Sequence, residues 1–177
     1  MTYREPAASS RQTAERNFVR QQGLRDVTST ACVYQYPALM FQPRAMGVLV
    51  LIGLVTQAWP YFLALSALLF WNVAVPRLNP FDALYNHLVA KPKNRPLLGP
   101  APGPRRFSQC MAGTFMLAIG LSLWSGSQTL AGGFEACLLV ALGALILGRF
   151  CMGSYLFFLF TGEAPFANRT LPWARSE

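Results

Sequence analysis

Four residues in this 177-residue chain have side chains that could do chemistry in an apolar setting: Glu135, Arg149, Cys151 and His87. Glu135 and Arg149 are the only formal charges in two long apolar blocks, residues 45–75 and 107–161. A charge in hydrocarbon is costly and is a functional candidate by default, so a small transporter would use this pair. The plainer expectation is that Glu135, two residues past Gly133, reaches water near a helix start. Arg149, about 21 Å further along the same helix, would then extend to headgroups. Cys151 lies two residues from that arginine, and a nearby cation favours the nucleophilic thiolate of an accessible cysteine. Without a partner, a single thiol is otherwise an inert apolar side chain. His87, the only histidine, falls beside the apolar face of an amphipathic stretch and is expected at an interface. Cys32, Cys110 and Cys137 are widely spaced and form no Cys-x-x-Cys pair, so no disulfide framework is expected. One histidine and scattered cysteines build neither a zinc nor a haem site, and no phosphate-binding or hydrolase motif occurs. No metal and no cofactor are therefore expected.

The elements that must position these residues belong to an all-α integral membrane protein. Hydrophobic residues make up 53 % of the chain and charged residues 12 %, too apolar a balance for an ordinary soluble domain. The net charge of +8 comes from lysines and arginines that flank the apolar blocks. That distribution fits anionic lipid headgroups and argues against nucleic acid. The N-terminal 30 residues are polar and contain no apolar signal core, so the first membrane helix is expected to target the chain.

The first block is 31 residues long, and Thr56-Gln57-Ala58-Trp59-Pro60 interrupts it. Pro60 suits the first turn of a new helix and Trp59 suits an interface. The pattern predicts four short transmembrane helices as two helical hairpins, with spans near 45–57, 60–75, 107–124 and 134–160. Residues 125–133 would form the second turn, and the long last helix would tilt or break near Gly153. Before the spans lies a polar, basic tail, 1–44, with a short helix near Ala14–Leu24. It includes an aromatic interfacial segment, Cys32–Phe41, interrupted by Pro37. A short tail, 162–177, follows the spans.

An amphipathic interfacial helix, about 80–90, is predicted in the middle cytoplasmic loop. Asn79 would cap it, Pro80 would open it, and Phe81, Leu84, Tyr85 and Leu88 would share one face. Membrane-interface contacts are expected from Trp59, Arg77, Phe81, Tyr85, Lys91, Lys93, Arg105 and Arg106. Formal charge is about +3 over residues 1–44, +5 over 76–106 and +1 over 149–177, with none in either outer turn. Both termini and the middle loop should then face the cytoplasm, in a bacterial cytoplasmic membrane. Small residues (Gly113, Ala118, Gly120, Ser122, Gly143, Ala144, Gly148) would let the helices approach closely.

Three motifs in order, Val75–Val89, Pro104–Gln109 and Arg149–Tyr155, carry a family resemblance. From about Pro43 to Phe160 the chain resembles the bacterial membrane-protein family catalogued as domain of unknown function 4395. The resemblance implies a small four-helix membrane protein. Members carry Phe-Cys-x-Gly-Cys in the last helix, which here becomes Phe150-Cys151-Met152-Gly153-Ser154. It also implies association with thioredoxin-like and sulfurtransferase-like proteins, for which a membrane dithiol would be suited. With Ser154 at the second position, disulfide cycling would need Cys110, Cys137 or a partner's thiol.

Three functions follow as expectations. The first is a non-catalytic accessory or scaffold subunit, packed against a larger membrane complex or a second copy of itself. It would follow from short spans, small-residue faces and no convergent polar cluster. The alternatives are a thiol-redox or sulfur-handling protein using Cys151, and a small transporter using Glu135 and Arg149.

Overall fold

The computed structural model describes residues 10–25 and 29–174, and every regular element among them is helical. In chain order the α-helices are α1 (Ser10–Gln21), α2 (Ser29–Thr56), α3 (Trp59–Ala74), α4 (Pro80–Tyr85), α5 (Gly103–Trp124), α6 (Gln128–Ile146), α7 (Met152–Phe160) and α8 (Ala164–Arg169), with a 3-10 turn at Pro76–Leu78 and a π turn at Asn86–Ala90 on either side of α4. Two hairpins, α2–α3 and α5–α6, make the body. Ala31–Thr56, Gly103–Trp124 and Gln128–Ile146 are long and apolar enough to cross a membrane by length and composition. The remaining apolar helix, α3, has 16 residues and falls short of the other three.

The largest departure from the sequence reading is α2, which begins at Ser29 rather than near 45 and runs through Pro37 and Pro43. An interior proline costs about 3 kcal/mol, but tertiary packing outweighs it here. Tyr36, Leu39 and Met40 are buried on α2 against Phe18 and Val19 of α1. The rings of Phe18 and Tyr36 meet edge to face at 5.6 Å. The segment read as interfacial, Cys32–Phe41, is thus part of a packed helix. Its partner α1 is likewise a docked helix rather than a solvated tail, and it also buries Asn17 and Gln21. Asn17 Nδ2 donates to the Leu171 and Ala174 carbonyls at 2.9 and 3.0 Å, holding the C-terminal segment down. Arg4 and the remainder of the tail reading at 1–9 and 26–28 lie outside the described residues.

Pro60 falls in the first turn of α3, as read, and Trp59 is exposed beside it. Between α5 and α6 the turn is only Ser125–Ser127, with Gly126 at φ +76°, so Gly132 and Gly133 lie inside the helix. The break in the last apolar stretch falls at 147–151, ahead of Gly153. There Arg149 takes φ +54°, and Phe150 N–H closes onto the Ala144 carbonyl at 3.0 Å. Gly148 permits this ending, because a Cβ there would lie 2.7 Å from the Ala144 oxygen.

The α3–α5 interface is the most extensive in the fold. Gly113 sits against Leu69 and Phe70, and a Cβ on Gly120 would meet Leu63 at 2.7 Å. Ser66 Oγ donates to the Gly113 carbonyl at 2.8 Å. Gly143, in contrast, faces open space, so small residues mediate close packing on α5 rather than on α6.

Candidate functional site

The capped helix in the middle loop forms as read: Asn79 Oδ1 accepts the Phe81 N–H at 3.0 Å. Its apolar face splits, however. Phe81 and Tyr85 turn inward, Tyr85 against Phe41, while Leu84 and Leu88 stay exposed. Residues 86–90 widen into a π turn, and the Asn86 side chain bonds both the N–H and the carbonyl of Leu98, at 2.8 and 3.1 Å. That pair pins the Pro-rich return to α5. Arg77, Lys91, Lys93 and His87 are exposed. Arg106 is exposed too, and donates to the Val73 carbonyl from Nε and Nη2 at 3.1 and 2.8 Å, capping the end of α3.

Arg105 was expected at the interface but is buried, and it centres the first polar cluster. Its guanidinium donates to Asp82 Oδ1 at 2.5 Å and to Gln42 Oε1 at 2.7 Å. The same Gln42 oxygen accepts from Gln109 Nε2 at 2.9 Å and Asn79 Nδ2 at 3.3 Å, and Asn79 also donates to Asp82 Oδ2 at 3.0 Å. Arg105 has no acceptor, so the Gln42 atom facing it must be the oxygen, and Gln109 must then present its NH₂ group there. This leaves Gln109 Oε1 buried without a partner.

One turn along α5 lies the second cluster. Cys151 immediately precedes α7 and is buried. Its Sγ lies 3.2 Å from Ser108 Oγ and 3.3 Å from Ser154 Oγ, and the two hydroxyls are 2.9 Å apart. Ser108 Oγ also donates to the Pro104 carbonyl at 2.9 Å, and Gln22 Nε2 donates to Ser154 at 3.3 Å. The Cys151 N–H donates to Gln21 Oε1 at 2.8 Å, leaving Gln21 Nε2 unpartnered. Close approach of α7 to α5 depends on Gly153, since a Cβ there would stand 2.8 Å from the Ser108 Cα. Hydroxyl protons rotate freely. Either serine can therefore turn its O–H onto the sulfur when the thiol gives up its proton.

The other candidates are not brought to this cluster. Arg149 turns away from Cys151: Nε donates to Tyr36 Oη at 3.2 Å, and Nη2 lies 3.8 Å from Glu15. Glu135, on α6, sits at the opposite end of the bundle, where it accepts from Gln57 Nε2 at 3.0 Å. All four cysteines are free. Cys137 lines the same cavity as Cys151, but Cys151 packs with Leu145, eight residues or about 12 Å along α6 from Cys137. A disulfide needs Cα atoms within about 7 Å, so the two thiols do not pair without movement. Among the described residues no group of three His, Cys, Asp or Glu side chains could hold a metal.

Sequence reasoning missed Gln21, Gln22, Gln42, Asp82, Ser108 and Gln109. For Asp82, Ser108 and Gln109 the signal available was their position in the motifs of the resemblance, which meet here: Asn79 and Asp82 from the first, Arg105, Ser108 and Gln109 from the second, Cys151 and Ser154 from the third; nothing in the sequence marked Gln21, Gln22 or Gln42. The family model described as domain of unknown function matches residues 37–161, a span that holds all three motifs. No curated protein and no solved structure matches the chain.

Proposed function

This chain belongs to the family described as Domain of unknown function (DUF4395), and from that premise we propose that it is a membrane-embedded monothiol protein acting through Cys151. All four apolar helices would cross the membrane as two hairpins. The 16 residues of α3 span about 24 Å, which requires some local thinning of a core about 30 Å thick. The basic loop, α1 and α8 gather at one end of the bundle. By the positive-inside rule this end, with both termini, faces the cytoplasm of a bacterial cell.

The observation that carries the thiol reading is the placement of Cys151 Sγ between two serine hydroxyls, in the wall of a cavity of about 460 Å³. In thiol–disulfide exchange the Cys151 thiolate attacks one sulfur of a partner's disulfide. One S–S bond forms, one breaks, and the departing thiolate takes up a proton. With Ser154 at the position of a second thiol, the mixed disulfide waits for an external thiol to resolve it. The test is alkylation by a small membrane-permeant maleimide in lipid nanodiscs, followed by peptide mass spectrometry. Cys151 should react about tenfold faster than the more exposed Cys137; equal or slower reaction overturns the reading.

A second reading, an accessory subunit bound to another membrane protein or to its own copy, is supported by α6, which leaves Leu130, Leu139 and Val140 uncovered. It predicts stoichiometric recovery of one partner, or a defined oligomer, from native membranes in mild detergent. Transport through Glu135 and Arg149 gains no support, since the two sit at opposite ends of the bundle on separate partners.

A further inference from the structure

Cys151 is enclosed from two directions by different parts of the fold. On one side α5, α6 and the start of α7 bound the apolar cavity of about 460 Å³, to which α1 contributes no residue. On the other side stands α1. Gln21 Oε1 accepts the Cys151 N–H at 2.8 Å. Gln22, the residue after the helix, donates from Nε2 to Ser154 Oγ, itself 3.3 Å from the sulfur. Phe18 and Val19 bury their side chains in the same apolar cluster as Cys151. Both glutamines are buried, and only 5 % of Cys151 is exposed. In thiol–disulfide exchange the attacking sulfur must meet the disulfide directly. A disulfide held in a water-soluble protein arrives from the basic end of the bundle, and there α1 bars its approach.

The docking of α1 is poorly satisfied. Among the described residues seven buried side-chain polar atoms lack a hydrogen-bond partner, and three of them, Asn17 Oδ1, Arg20 Nε and Gln21 Nε2, belong to α1. Water satisfies such groups once a helix lifts, so each one favours the open state over the docked state. Two ion pairs tie this segment down, Glu15 with Arg149 at 3.8 Å and Arg25 with Glu163 at 2.5 Å. Both are accessible to solvent, where such pairs contribute little. The apolar face that remains is small: Ala14, Phe18 and Val19. Segments with few buried apolar contacts open well before the whole fold does.

We infer that α1 is a cover that decides which disulfides reach Cys151: docked, it excludes those carried by water-soluble proteins, and it lifts before Cys151 exchanges with one. The inference rests on the thiol reading above and adds its regulation. Gln21 and Gln22 couple the cover to the site, because lifting α1 frees the Cys151 N–H and one of the two hydroxyls beside the sulfur.

The test compares two reagents on the full chain in lipid nanodiscs. One is the small membrane-permeant maleimide, and the other is a maleimide on a long polyethylene glycol chain that stays in water. Loss of the unmodified Cys151 peptide gives each rate, taken relative to that reagent's rate with free cysteine, while hydrogen exchange follows α1, α5 and α6. In the parent chain the bulky reagent should be about tenfold slower than the small one, and α1 amides should exchange ahead of those of α5. Val19→Asp puts a charge in the apolar face of α1 and should raise the bulky-to-small ratio about tenfold. If it also strips protection from α5 and α6, Gln21→Ala with Gln22→Ala replaces it, with a rise of about threefold expected.

Equal rates for the two reagents in the parent chain overturn the inference, as does protection of α1 equal to that of α5. So does a Cys151 that the bulky reagent reaches no faster once hydrogen exchange shows α1 released. The thiol reading fails separately, if the small maleimide labels Cys151 of the parent chain no faster than Cys137.

Discussion

Arg105 and Ser108, three residues apart on α5, serve two polar clusters of opposite character. Around Arg105 a charged pair and three amides are nearly closed: donors and acceptors match, and Gln109 Oε1 alone is left over. Around Ser108 the groups are neutral, their hydroxyl protons have alternative acceptors, and a thiol stands among them. Buried ion pairs are costly to break and slow to adapt, whereas neutral hydroxyl chains reorganise by rotation. The first cluster fastens the middle loop and α2 to α5, and the second retains the freedom a reactive group requires. One turn of one helix thus separates a cluster that fastens from one that can rearrange.

Breaking the rigid member should produce the largest effect. Asp82→Ala leaves Arg105 charged and buried, and is expected to cost about 3–5 kcal/mol of stability. Thermal unfolding in detergent would read this, and the double replacement Arg105→Met with Asp82→Leu should recover most of the loss. A double variant as unstable as Asp82→Ala would mean that the loop is held by something other than charge. Next comes Gly153→Ala, whose Cβ would stand 2.8 Å from the Ser108 Cα. It should cost about 1–3 kcal/mol by pushing α7 off α5, and should raise the exposure of Cys151 to alkylation. Unchanged alkylation would show that the second cluster does not depend on this close approach.

Ser154→Cys sharpens the contrast without a large stability change. Its Oγ already lies 3.3 Å from Cys151 Sγ, so mild oxidation should form an intrachain disulfide that blocks alkylation until reduced. Persistent free thiols after oxidation would argue that the backbone of α7 holds the pair apart. The smallest effect is expected for Glu135→Gln, which keeps an acceptor for Gln57 at the far end of the bundle. Its unfolding midpoint should match the parent to within about 0.5 kcal/mol.

Much of the scaffold was legible because local rules decide it. Pro60 in the first turn of α3, the Asn79 cap with Pro80, and the apolar runs of α3 and α5 each act within a few residues. The extension of α2 through Pro37 and Pro43 was not legible, because the cost of the prolines is local and the gain comes from α1, about 20 residues earlier. Arg105 misled for the same reason: a basic residue before an apolar run reads as a headgroup contact, and nothing adjacent marks Asp82 as its partner. The full burial of Asn72 with neither side-chain polar atom partnered has no explanation in the structure.

The sequence by itself determined an all-helical chain with apolar helices, basic flanks and one capped loop helix, because hydropathy, proline geometry and capping act over a few residues. Tertiary structure alone decided that α1 is part of the core, that the last apolar stretch breaks at Arg149, and that Cys151 meets Ser108 rather than another thiol. Those outcomes depend on side chains 40 to 130 positions apart sharing one buried space, where unpaired polar groups are penalised and only the full set of partners can satisfy them.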